Sequence, residues 1–372
     1  MALEKIEGLN ILIAILLVCI LVIAGCDTDS EKSVAGDYVD KEPRGLKTLT
    51  VPADSITVAH HFQKEIGYSS NVLAGRYENS EAFAIFKFSL TSVRIDSLIG
   101  ATLKIDIDEL WGDGEIGLDL YETHSDWSDT TMIDPDSFIH DLTLPLATIS
   151  ADTSQVNDQV SFDIDPAVIT AWISKGSFLL KSSETGEIMA GLLSDDTSYP
   201  PILELVEVTM DGDIDTTNVK SSEGTYFFDN GMESDKPVLS EGDGSGFVLH
   251  IGLPESLPSL SSINRCILRM SALERVIVDE PMSIKVYHLN EAFTSIDEAD
   301  ADLSNVVLLE LLPDIETYEI DITSFLNRWH VGGDSNHGLM IEPMNETDSP
   351  NQCVFIPADS LIVTYTPFPE IK

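Results

Sequence analysis

Positive charge is scarce in this chain. Its 372 residues hold 20 lysines and arginines against 64 aspartates and glutamates, a formal net charge of −44. Such a field repels phosphate backbones and anionic headgroups, so neither nucleic acid nor an anionic lipid surface is an expected partner. Catalytic signatures are missing as well. No HExxH, GxSxG, phosphate-binding glycine loop or CxxC occurs, which leaves no chemistry written into a motif. Carboxylates are abundant, yet no pair is set apart as a glycosidase acid and base. Long amphipathic helical patterns are also absent. The hydrophobic fraction of 43% is ordinary, so the acidity does not signal disorder.

Cysteine is rare, and its four positions separate by context. Cys19 lies in an apolar run, Leu9 to Ala24. At 16 residues this run is short for a membrane-spanning helix and long enough for the hydrophobic core of an export signal. The run ends in Ile23-Ala24-Gly25-Cys26. That ending resembles the lipobox of bacterial lipoproteins, in which small residues precede a cysteine. The resemblance implies that residues 1–25 are a signal peptide, that the Cys26 thiol takes a diacylglycerol, and that Cys26 becomes the new N-terminus. Two or more acyl chains hold a protein firmly at a membrane, where one binds only marginally. The segment before the apolar run departs from the pattern, carrying Glu4 and Glu7 beside Lys5. An uncleaved single-span anchor is the alternative, and it too exports the remainder. Residues 26–46 are polar, with glycine and proline but little to bury, and read as a tether.

Beyond the tether, period-two alternation recurs, as in Ala101-Thr-Leu-Lys-Ile-Asp-Ile107 and Ile116-Gly-Leu-Asp-Leu-Tyr121. The pattern also repeats along the chain. Ala101-Thr-Leu-Lys-Ile105 matches Cys266-Ile-Leu-Arg-Met270. Residues 116–121 match Met282-Ser-Ile-Lys-Val-Tyr287, and an aromatic follows each tyrosine by six residues, Trp127 or Phe293. Later, Val168, Ile169 and Trp172 share the helix-face spacing of Phe325, Leu326 and Trp329, with Asp165 and Thr323 as the expected N-caps. The expected architecture is therefore all-β: two tandem sandwiches, 47–209 and 223–368, joined by an acidic linker, 210–222.

The order of these segments resembles the DNRLRE-type domain, a jelly-roll sandwich related to carbohydrate-binding modules. The counterparts are Phe86-Lys-Phe-Ser-Leu90, Ala101 to Ile105, Leu118-Asp-Leu-Tyr121 with Trp127, and Phe162-Asp-Ile-Asp with Trp172. Two features of the pattern are missing. Asn79-Ser-Glu-Ala-Phe83 replaces the family's arginine-rich segment, and Met132 stands where its second tryptophan would be. The resemblance implies a non-catalytic module that binds polysaccharide or another surface protein, or serves only as structure. A polysaccharide-degrading enzyme is the remote alternative.

Few residues stand out as sites. Trp111, which has no counterpart in the second copy, is the leading candidate for a sugar-stacking contact, with Trp127 beside it. Asp211, Asp213 and Asp215 have the spacing of half a calcium loop, but Thr216 and Ser222 stand where the full motif wants glycine and glutamate. Asp106, Asp108, Asp113 and Glu115 form a second acidic group around a turn. The adjacent His60 and His61 would face opposite sides of a strand and share no metal. Cys266 and Cys353 are either a disulfide of the exported protein or two buried thiols.

Overall fold

The computed structural model describes residues 45–367, except 65–69, 92–96, 124–126, 128–143, 173–174, 184–186, 232–235, 254, 260, 279–280, 297, 345–348 and 358. The expected signal peptide, Cys26 and nearly all of the expected tether lie outside the described residues. What is described is all-β and antiparallel, as the alternation predicts.

The strands are β1 (Lys47–Pro52), β2 (Ile56–Phe62), β3 (Asn71–Tyr77), β4 (Ser80–Ser89), β5 (Leu98–Trp111), β6 (Glu115–Thr123), β7 (Ala147–Asp152), β8 (Gln159–Ile164), β9 (Lys175–Ser182), β10 (Met189–Leu193) and β11 (Ile202–Val208). The long β12 (Ile214–Asp229) follows, then β13 (Val238–Ser240), β14 (Gly246–Ile251), β15 (Ser261–Val276), β16 (Met282–His288), β17 (Val307–Leu311), β18 (Thr317–Asp321), β19 (Leu339–Pro343), β20 (Gln352–Phe355) and β21 (Ser360–Pro367). Two single-turn helices, α1 (Pro166–Thr170) and α2 (Thr323–Asn327), occupy matching places before β9 and β19.

Two hydrophobic cores organise these strands. The second lies between a six-stranded sheet, β1-β21-β15-β20-β13 with β18 on β15, and a five-stranded sheet, β17-β16-β19-β14-β2. Alternation explains its walls. β18 reads exposed-buried along Thr317–Asp321, and β21 turns Leu361, Val363 and Tyr365 inward. The first core is built on the same plan. β12, β11, β5, β10 and β3 follow one another with β8 on β5, and β4, β9, β6 and β7 follow one another opposite. Here β3 pairs with β4 and β12 runs unbroken from β11 to β4, so the layers join at both edges into one ten-stranded sheet.

The repeat is thus visible strand by strand. Leu103 pairs with Leu203 on β11 as Leu268 pairs with Leu361 on β21. The helical turns match too. Ile169 and Trp172 are buried in the first core, and Phe325, Leu326 and Trp329 in the second. Asp165 caps α1 as expected, accepting from the Ala167 amide at 2.9 Å. Thr323 does not cap α2. Its own amide donates to Asp321 at 3.0 Å, and its hydroxyl accepts from the Cys266 amide at 2.7 Å.

The ends of the repeats depart from the expected boundaries. β1 and β2 open the first repeat, yet they pair with β21 and β14 of the second. The equivalent segment of the second repeat, β12, pairs with β11 and β4 of the first. Each sandwich is therefore completed by the opening segment of the other repeat. The first sandwich is one stretch, β3 to β12. The second is assembled from β1–β2, hereafter the arm, and β13 to β21. The segment expected as a linker is no linker. Thr209 to Asp213 form a tight turn, closed by the Asp213 carbonyl accepting from the Thr209 amide at 2.8 Å, and the rest belongs to β12.

Candidate functional site

The residues singled out by sequence scatter when placed in the fold. Trp111, at the end of β5, is only 3% exposed and belongs to the first core. Its ring lies over Gly191 of β10, where a Cβ would sit 3.0 Å from the indole Cη2. It is a core residue, not a stacking platform for sugar. It stands beside a turn because Gly112, at φ +110°, and Gly114, at +116°, reverse the chain immediately after it.

Trp127 is 5% exposed. It lies on the outer face of the first sandwich with Phe83, Ile85, Tyr121, Leu179 and Phe227. The indole N–H donates to Ser177 Oγ at 3.1 Å. Lys87 Nζ sits 4.7 Å from the ring centroid, donates to the Trp127 carbonyl, and pairs with Glu223 at 2.8 Å. A buried ammonium is tolerable only with such partners. This arrangement explains β4, which is buried on nearly every residue: Ala84, Phe86 and Phe88 face the core, while Phe83, Ile85 and Lys87 face the Trp127 cover.

The second sandwich covers the same face by the same device. Val248, Tyr287, Leu289 and Met340 lie under Phe293, Ile296, Ala299 and Ala301. Phe62 of the arm joins them, its ring 5.7 Å from that of Phe293. Phe62 is seated over Gly246, where any Cβ would approach its ring within 2.4 Å. His60 reaches the same Phe293 at 5.1 Å, and His61 between them points away, as period two requires.

The acidic groups stay apart from one another. Asp211, Asp213 and Asp215 sit exposed on the β11–β12 turn, where Asp215 accepts from the Thr216 amide at 2.8 Å. Asp108 accepts from Asn71 Nδ2 at 3.0 Å, and Asp106 from Gln159 Nε2 at 3.3 Å. Among the described residues, no three acidic, histidine or cysteine side chains gather as a metal site.

Cys266 and Cys353 are free and buried. Cys353 pairs with Arg275 on β15, nine residues from Cys266 on the same strand. At about 3.3 Å per residue that is roughly 30 Å, far beyond the ~7 Å limit for a disulfide. Burial pushes the Cys353 thiol up to about 12 and raises Cys266 as well, so neither is a nucleophile near neutral pH.

Sequence reading missed the most polar buried region, the joint between the sandwiches. The loop after β13, Glu241 to Gly244, is buried against the end of β12. Tyr226 Oη donates to the Gly242 carbonyl at 2.6 Å, Asn230 Nδ2 to Asp243 at 3.0 Å, and Gln352 Nε2 to Ser80 Oγ at 2.5 Å. Glu241 accepts from Ser349 Oγ at 2.6 Å and Asn351 Nδ2 at 2.8 Å. Burial holds Asp243 above the usual carboxylate range, against the pull of its hydrogen bonds. The run Ser240-Glu-Gly-Asp-Gly-Ser-Gly246 resembles any solvated turn, and only the tertiary fold buries it. Comparison of the chain with protein-family models and with curated proteins gives no match.

Proposed function

We propose that this protein is an exported lipoprotein, fixed to a bacterial membrane through Cys26, whose β-sandwiches act as a non-catalytic structural module at the cell envelope. One observation carries the choice of structure over sugar binding. Both tryptophans that a stacking platform would use are buried, and one outer face of each sandwich, that of β4, β6 and β9 and that of β14, β16 and β19, is covered by the chain itself. The matching strand order of the two sandwiches supports the reading of one module present twice.

The path of the chain gives this reading a direction. Lys47, where the tether ends, pairs with Tyr365 near the end of β21. The tether therefore enters the second sandwich, and the first is carried beyond it.

Two measurements test the reading. Metabolic labelling with a palmitate analogue should mark the parent chain, and Cys26→Ser should abolish the label; a labelled serine variant contradicts the anchor. On a glycan array the purified protein should retain no glycan, and specific retention of any polysaccharide would restore the binding reading.

A further inference from the structure

We propose that the arm, β1–β2 with Lys64, is an exchangeable element that seats in the second sandwich of a neighbouring copy as well as in its own, so that the partner of this surface is a second copy of the chain. The slot it fills is an unpaired edge on both sheets: β21 on one, β14 on the other. Empty, that edge would present open backbone groups and a core without Val51 and Ile56, which are 1% and 2% exposed when seated.

The slot recognises a pattern and not a connection. β12 fills the equivalent slot of the first sandwich although it comes from the other repeat. Register makes Val51, opposite Leu361, the counterpart of Val219, opposite Leu203. It makes Phe62, opposite Gly246, the counterpart of Phe227, opposite Phe83. The three-residue turn Ala53–Ser55 accounts for the longer spacing in the arm. β12 cannot leave, because the tight turn at Thr209–Asp213 ties it to β11. The arm has no such tie to the sandwich that holds it. The hydrogen bonds Tyr226–Gly242, Asn230–Asp243 and Gln352–Ser80 run between other segments, and the arm meets the joint loop only by packing of Lys64 on Gly244 among the contacts described.

Charge keys the arm to the second sandwich. Lys64 pairs with Glu342 on β19 at 3.0 Å, and Glu342 also accepts from Tyr287 Oη at 2.9 Å. The register equivalents in the first sandwich are Asp229 and Lys181, with the signs reversed. An arm seated in the wrong sandwich would set Lys64 beside Lys181, and β12 would set Asp229 beside Glu342. The clash of Asp229 with Glu342 rejects β12 from the second sandwich, while in the first Lys64 would meet Lys181 on one side and Glu81, the register partner of Asp229, on the other, so that the bar there is partial. Charge does not reject an arm from another copy, which makes the same contacts. Within one chain the arm holds the advantage of effective concentration, which crowding of copies offsets.

Two full-length chains, Thr48→Cys and Thr364→Cys, carry different tags and are co-expressed, oxidised and separated without reductant. Thr48 lies opposite Thr364, and paired Cα atoms at about 4.5–5.5 Å suit a disulfide. The expected result is a heterodimer bearing both tags, well above the level from either variant alone or the parent chain, which report the native cysteines. Glu342→Lys in the Thr364→Cys chain should lower it several-fold, and Lys64→Glu in the Thr48→Cys chain should restore it. Both cysteines in one chain should close an internal bridge. If that bridge forms and the mixture yields no heterodimer above background, the arm stays within its own chain and the proposal fails. If the internal bridge does not form, the register of β1 on β21 is wrong and the proposal falls with it.

Discussion

The two sandwiches share a strand order but not a chain path. The first is continuous from β3 to β12, and its longest edge is closed by a strand that follows it through a tight turn. The second is closed by the arm, whose pairing joins Lys47 to Tyr365. Local contacts form early because little loop entropy is lost, whereas a pairing across almost the whole described chain must wait. The difference teaches that one repeated sequence can yield one body that closes by itself and another that depends on a distant segment.

Smaller differences follow the same division. Trp172 Nε1 donates to Glu122 at 2.8 Å in the first sandwich. At the equivalent place in the second, His288 stands beside Trp329, and neither His288 ring nitrogen nor Trp329 Nε1 has a hydrogen-bond partner among the described residues. Unsatisfied buried groups of this kind cost about 1–3 kcal/mol each. The second sandwich therefore has the weaker polar wiring as well as the longer closure.

Tryptophan fluorescence can separate the two bodies, since Trp329 is the one tryptophan of the second and Trp111, Trp127 and Trp172 belong to the first. The largest expected effect is from Phe325→Ala, which opens a cavity in the second core. It should cost roughly 3–5 kcal/mol and shift the Trp329 transition to lower denaturant, leaving the first transition in place. Ile56→Ala should cost about 2–4 kcal/mol. Its effect should also fall on the Trp329 transition, although residue 56 lies in the first repeat; a shift of the first sandwich instead would break the comparison. Lys64→Glu comes next, at roughly 1–3 kcal/mol, because it strands Glu342, whose side chain is 5% exposed. Glu342→Lys in the same chain should recover most of that loss in a urea melt.

The smallest expected effect is a pH dependence confined to the second sandwich. Burial first, then the charge of Arg328, holds His288 below the ordinary histidine value of 6.5. The folded state thus binds fewer protons there than the unfolded state, so stability falls as pH drops through about 6.5. Asp243 acts with the opposite sign. Its raised value means that stability is lost as pH climbs from its ordinary 3.8 through the folded value. Between about pH 7 and 5.5 the Trp329 midpoint should decline, and His288→Phe should flatten that slope.

The repeat was legible because period-two burial leaves its mark on each strand, and because Tyr121 with Trp127 and Tyr287 with Phe293 keep their spacing. The cover over one outer face of each sandwich follows from those aromatics. The exchange was not legible. Val51 and Val219 suit either edge, and pattern within a strand says nothing about which sheet receives it. Trp111 misled for a local reason: two glycines beside it imply a turn, and the burial comes from Gly191, eighty residues on. The Asp211–Asp215 segment misled similarly, since acidity suggests a linker while its residues 214 onward form the strand that closes the first core. Cys266 and Cys353 both lie on strands, and only the register reveals that they stand far apart.

Amide hydrogen exchange in the full-length Phe325→Ala chain tests the exchanged closure most directly. If the account holds, residues 47–62 lose protection together with 238–367, while 71–208 and 214–229 stay protected as one unit. Protection of 47–62 that persists with 71–208, or loss at 214–229 together with 238–367, would contradict it.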